Sequence, residues 1–146
     1  MEKYLLPKFL KNILSPKDYR KWLENRANAL HRRDKANNKA IGPRSKYKEL
    51  INKAVCRDTN VCHHTGWIMD WSLINLLDDK EAQAKRNGYK RKFDMLPTVD
   101  HEWNGKNYDF SICCWIIHDI KNNLSMPELI DVCGAVVRHY TPNQQT

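Results

Sequence analysis

From Leu96 to Leu124 the chain reads LPTVDHEWNGKNYDFSICCWIIHDIKNNL, and no other stretch constrains the fold as tightly. A short apolar run ends in the pair Asp100-His101, and a polar turn containing Gly105 follows. A second apolar run, Phe110 to Cys114, passes directly into a segment bearing His118 and Lys121. Two short runs around a glycine-containing turn predict a β-hairpin, and the segment behind them predicts a helix. Successive side chains of a strand point to opposite faces, so Asp100 and His101 are expected to point apart.

Helical patterns dominate the remainder, so the expected class is α+β, mostly helical, with one two-stranded hairpin. In residues 1–14 an apolar cluster broken by Pro7 predicts a brief helix. Ser15-Pro16-Lys17-Asp18 then supplies an N-cap, a proline at the first helical position and an acid at the third. The helix so opened carries Tyr19, Trp22, Leu23, Ala27 and Leu30 on one face. Its basic end, His31-Arg32-Arg33-Asp34-Lys35, is expected to project toward solvent or phosphate. Gly42-Pro43 opens a second helix, ending near Cys56, with Tyr47, Leu50, Ile51, Ala54 and Val55 at core-facing spacing.

Thr65-Gly66 predicts a turn, with Trp67, Ile68, Trp71, Leu73, Ile74 and Leu76 expected in the core. Asn87-Gly88 is a turn signal inside the charged stretch 78–92. Behind the hairpin unit, Ser125-Met126-Pro127-Glu128 has the form of a capping box. Leu129, Val132, Cys133, Val136, Val137 and Tyr140 follow as a stripe expected to face the core. The expected organisation is a basic N-terminal helical segment, 1–42, followed by a second unit, 43–146.

Charge is informative in its placement. Between Pro16 and Lys53 stand 12 basic and 4 acidic residues, which accounts for the whole net charge of +8. Such asymmetry is the footprint of a phosphate-backbone partner. Arg32, Arg33, Lys35, Arg44 and Lys46 are the candidate contacts there, with Lys90 and Arg91 as a second group. No apolar stretch approaches the ~20 residues that span a bilayer, so no membrane role is expected. Lysines run through the apolar part of MEKYLLPKFLKN, unlike a signal peptide, and the cytoplasm is the expected location. Five irregularly spaced cysteines suggest reduced thiols. Cys56, Cys62, His63 and His64 lack a second ligand pair at metal-finger spacing, so a structural zinc is not expected. Cys113 and Cys114 are expected to behave as inert small hydrophobes.

The order strand, turn, strand, helix, with Asp-His on the first strand and an imidazole on the helix, resembles the HNH nucleases of the ββα-metal superfamily. The longer pattern GPRSKYKELINKAV … TGWIMDW … YKRKFDMLPTVDH … DFSICCWIIHDIKNNLSMPELIDVC, covering roughly Asp18 to Val137, is similar to uncharacterised bacterial and phage HNH-like proteins. The resemblance implies a ββα-metal unit that hydrolyses phosphodiester bonds, DNA favoured over RNA, with one Mg²⁺ or Mn²⁺ ion. His101 would be the general base, since an ordinary imidazole, with an unperturbed pKa of about 6.5, can accept a proton at neutral pH. Asp100 and His118 would be the metal ligands, with Asp119 in reserve, and Lys121 would touch a substrate phosphate. Asp109 stands where the family has an asparagine that orients the base, and an aspartate can accept from an imidazole N–H in the same way. Cys114 and Ile117 stand where many members carry a zinc-binding CxxC. The alternative implied by these departures is an HNH-like fold without cleavage that binds DNA or a protein partner, as an inhibitor would.

Overall fold

The computed structural model describes residues 3–76, 91–103 and 108–142. It is an α+β protein. Helix α1 (Pro16–Ala36) starts where Ser15 Oγ accepts from the Asp18 backbone N–H at 3.0 Å, and α2 (Arg44–Asp58) follows Pro43. A short 3-10 helix, Lys8–Leu10, precedes them. Strands β1 (Pro97–Trp103) and β2 (Tyr108–Cys114) form an antiparallel pair with Asp100 opposite Ser111 and His101 opposite Phe110. Helix α3 (Trp115–Lys121) leaves β2 without a loop, and α4 (Met126–Tyr140) follows on the Ser125–Glu128 capping box. No helix among the described residues is long and apolar enough to cross a membrane.

The register sorts the hairpin into two faces. Val99, Phe110, Ile112 and Cys114 face the core made by α1 and α2, where Tyr19, Leu23, Ala27, Tyr47, Ile51 and Val55 are buried. Tyr47 meets Phe110 with ring centroids 5.6 Å apart. The alternate residues, Thr98, Asp100, Glu102, Asp109, Ser111 and Cys113, make a polar face. Core residues from both sides of position 42 belong to one cluster, so the expected division at 42/43 does not coincide with a division of the core.

The outer edge of β2 is satisfied by the end of α2 rather than by a third strand. Asp58 accepts from Ile112 N–H at 2.8 Å, Arg57 donates to the Phe110 carbonyl at 2.8 Å, and His63 N–H donates to the Ile112 carbonyl at 2.9 Å. These contacts pair the edge groups that would otherwise be left open. They also explain why α2 runs to Asp58, beyond the expected end near Cys56.

Two expectations about packing need correction. Trp67, Ile68 and Leu76 are exposed, because the chain around Thr65-Gly66 makes a tight reversal that turns only Cys62, Met69 and Trp71 fully inward. Of the α4 stripe only Leu129 is buried: Val132, Val136, Val137 and Tyr140 are more than half exposed, and Cys133 is exposed as well. Ile120, on α3, is likewise on the surface. A helical apolar period records which side of a helix wants cover, and among the described residues of this stripe only Leu129 has it.

Candidate active site

Asp100 lies mid-strand on the polar face, 7% exposed, and three cationic or ionisable groups converge on it. Lys121 Nζ approaches Oδ2 at 3.0 Å, His64 Nε2 approaches Oδ2 at 3.2 Å, and His118 Nε2 stands 4.0 Å from Oδ1. Helix α3 makes this geometry local, since positions three apart on a helix share a face and His118 and Lys121 are so spaced. Burial acts to raise the Asp100 pKa, but the hydrogen bonds from His64 and Lys121, with the charges of Lys121 and His118, outweigh it and hold the carboxyl at about 2. The complementary shift falls on His64. Burial opposes its charged form, and the Asp100 hydrogen bond with the Glu102 charge overcomes that and raises it. Glu102 Oε1 lies 3.1 Å from His64 Nε2 and accepts from the Ser111 hydroxyl at 2.8 Å.

His101, on the opposite face of the same strand, packs its ring on Phe110 at 5.2 Å. Its Nε2 meets Asp34 Oδ2 at 2.9 Å, and Arg33 Nη2 meets Nδ1 at 3.0 Å. A guanidinium can only donate, so the imidazole carries its proton on Nε2, which donates to Asp34. Asp34 is 6% exposed and also accepts from the Tyr47 hydroxyl at 2.7 Å. Burial, then that hydrogen bond to Asp34, pushes the Tyr47 pKa up to about 12, so the phenol remains a donor. The Tyr47 hydroxyl thus fixes a buried carboxylate that in turn fixes the His101 ring.

Although they point apart, Asp100 and His101 border one cleft of about 450 Å³, lined also by Arg33, His118, Asp119 and Lys121. The structure therefore brings together Asp100, His101 and His118 with Arg33 and Lys121. It does not bring Asp109 to His101. Asp109 shares the polar face with Glu102, pairs with Arg57 at 3.5 Å and accepts from its neighbour's backbone N–H, while the place beside the imidazole is taken by Asp34. Arg32 and Lys35 are exposed on the same helical stretch as Arg33. Arg44 donates to Asn28 at 3.2 Å, Lys46 lies 3.9 Å from Glu49, and neither lines the cleft. Arg91 is exposed in a short 3-10 helix, and Lys90, with Asn87-Gly88, lies outside the described residues.

Asp34 had a signal that charge obscured. It follows Leu30 by one turn on the stripe of Tyr19, Leu23, Ala27 and Leu30, all buried, and an acid on such a stripe needs donors. His64 had no local signal, because its partner lies 36 residues away in sequence. Cys114 is also more than a filler. Its Sγ lies 3.4 Å from that of Cys62, and this hydrogen bond holds the Cys62 thiol below its ordinary range while raising that of Cys114. Burial pushes Cys113 up to about 12, consistent with an inert thiol.

No protein family, curated protein or solved structure matches the chain.

Proposed function

We propose that the protein is a metal-dependent endonuclease of the HNH (ββα-metal) type that hydrolyses phosphodiester bonds, with DNA as substrate. One observation carries this reading: a carboxylate and an imidazole at ion-bridging distance share a cleft with a second, carboxylate-oriented imidazole. The hairpin and α3 are read as the ββα-metal unit, and α1 as the part that buttresses it.

Asp100 and His118 are the residues that would hold Mg²⁺ or Mn²⁺. They stand 4.0 Å apart at the cleft, and the Lys121 ammonium already marks the carboxylate as a place for positive charge. When bound, the ion would supply charge neutralisation at the non-bridging phosphate oxygens and at the departing 3′ oxygen. The protein's own groups do the rest. His101 keeps its Nε2 proton on Asp34, which makes Nδ1 the basic nitrogen. Arg33 covers Nδ1 in the structure described, and a substrate phosphate that draws the guanidinium toward itself uncovers it. Nδ1 then takes the proton of the attacking water as the new P–O bond forms and the bond to the 3′ oxygen breaks. The leaving oxygen is protonated from solvent. Asp34 stabilises the resulting imidazolium, as the acid of a hydrolase triad does, and Tyr47 keeps Asp34 in place. Lys121, 3.0 Å from Asp100 at the edge of the same cleft, is the cation that would meet the substrate phosphate.

A second reading rests on the same contacts. Lys121 on Asp100 and Arg33 on His101 already satisfy the charges a metal and a substrate would meet, as expected of a fold that binds DNA or a protein without cutting. Incubating purified protein with plasmid in Mg²⁺ or Mn²⁺, beside His101→Ala, separates the two. Nicking that falls by roughly 10²–10⁴-fold in the mutant is the expected result. A folded protein that shifts DNA on a gel and cuts under neither metal would leave only the binding module.

A further inference from the structure

The polar face of the hairpin carries a second set of metal-ligating groups, separate from the Asp100–His118 pair. Donor atoms of His63, His64 and Glu102 lie within 4.8 Å of one another. The two histidines come from the reversal after α2, with ring centroids 5.2 Å apart, and the carboxylate comes from β1. We propose that His63, His64 and Glu102 form a binding site for a late first-row divalent ion, Zn²⁺ above all, with a fourth position open to solvent.

Four features support the assignment. Two imidazoles with one carboxylate are a donor set typical of zinc sites. The first histidine is oriented from behind: its Nδ1 meets Asp58 Oδ1 at 3.0 Å, which leaves Nε2 as the nitrogen able to ligate. Asp58 is itself fixed by Ile112 N–H and by Arg57, so the support is rigid, in the carboxylate–histidine arrangement that backs many metal-bound imidazoles. Glu102 is steadied by the Ser111 hydroxyl, and its oxygen already sits 3.1 Å from His64 Nε2, close to the ligand–ligand spacing of a tetrahedral ion. Access is open, since the His63 side chain is 38% and that of Glu102 31% exposed.

This set differs from the cysteine-containing one that spacing disfavours, for Cys62 turns its sulfur to Cys114. Binding uses His64 Nε2, the atom that otherwise donates to Asp100, so loading the site withdraws one hydrogen bond from the neighbouring cleft. The site itself stands whether or not that cleft cuts nucleic acid.

The test is titration of the full-length protein with Zn²⁺ by calorimetry and with Co²⁺ by visible absorption. Wild type is compared with His63→Ala, Glu102→Gln, His118→Ala and Cys62→Ser, each checked for folding by circular dichroism. The expected result is one tightly bound ion per chain that depends on His63, distinct from any weaker ion at Asp100 and His118, and a Co²⁺ spectrum without a thiolate charge-transfer band. Affinity should fall by more than about tenfold in His63→Ala and Glu102→Gln and stay unchanged in His118→Ala and Cys62→Ser. His63 is exposed, so His63→Ala alone decides should Glu102→Gln fail to fold. Binding that survives His63→Ala, that disappears in Cys62→Ser with a thiolate band, or that never reaches one ion per chain overturns the proposal.

Discussion

The two faces of the β1–β2 hairpin take alternate residues of the same strands and put them to opposite uses. On the core face, Val99, Phe110, Ile112 and Cys114 are buried among apolar neighbours, and the imidazole of His101 is held by a buried carboxylate. On the other face, Asp100 and Glu102 meet His64, Lys121 and His118, and the balance is electrostatic. A strand one residue out of register would exchange these sets, which is why packing on one side also fixes the chemistry on the other.

Substitutions should separate the faces by size of effect. Phe110→Ala removes a fully buried ring beside Tyr47 and His101 and should cost about 3–5 kcal/mol in urea denaturation. Its neighbour Ser111 is equally buried but on the polar face, and Ser111→Ala, which loses the hydrogen bond to Glu102, should cost only about 1 kcal/mol. Comparable losses at the two positions would erase the distinction.

Tyr47→Phe sharpens the comparison from the core side. It deprives buried Asp34 of one donor and should cost about 1–3 kcal/mol. If the cleft is catalytic, it should also lower the turnover rate more than substrate affinity, because the orientation of His101 is lost rather than a phosphate contact. A variant equal to wild type in both stability and rate would show that Asp34 does not depend on the phenol.

The smallest effect is the pH dependence of the polar face. A depressed carboxylate pKa stabilises the fold fully above the unfolded value of about 3.9, and the stabilisation is lost as pH falls toward the folded value. Asp100, held at about 2, should therefore contribute above pH 4 and fade between 4 and 2. A raised histidine pKa works the other way. His64 should contribute fully below about 6.5, its unfolded value, and lose that contribution as pH rises through its higher folded value. Thermal melts of His64→Gln should accordingly flatten above pH 6.5, and those of Asp100→Asn below pH 4. Parallel curves for wild type and mutants would remove the ion pair from the account.

Much of this was legible from local pattern. The Ser15 and Ser125 caps, the α1 and α2 stripes and the hairpin followed by a helix all rest on rules acting within a few residues. What escaped depends on distant partners. Asp34 looked like part of a solvent-facing basic run and is buried because a tyrosine from α2 and a histidine from β1 reach it. Asp109, expected to orient His101, is turned by strand alternation to the face away from it. The α4 stripe has the period of a core helix, and period alone does not say whether anything lies against it.

The most direct test of the central claim is anomalous diffraction from a crystal soaked in Mn²⁺. The account expects a manganese peak between Asp100 Oδ1 and His118 Nε2, with the Lys121 ammonium moved off the carboxylate. A crystal with Mn²⁺ bound elsewhere, or not at all, and Lys121 still on Asp100, would contradict it.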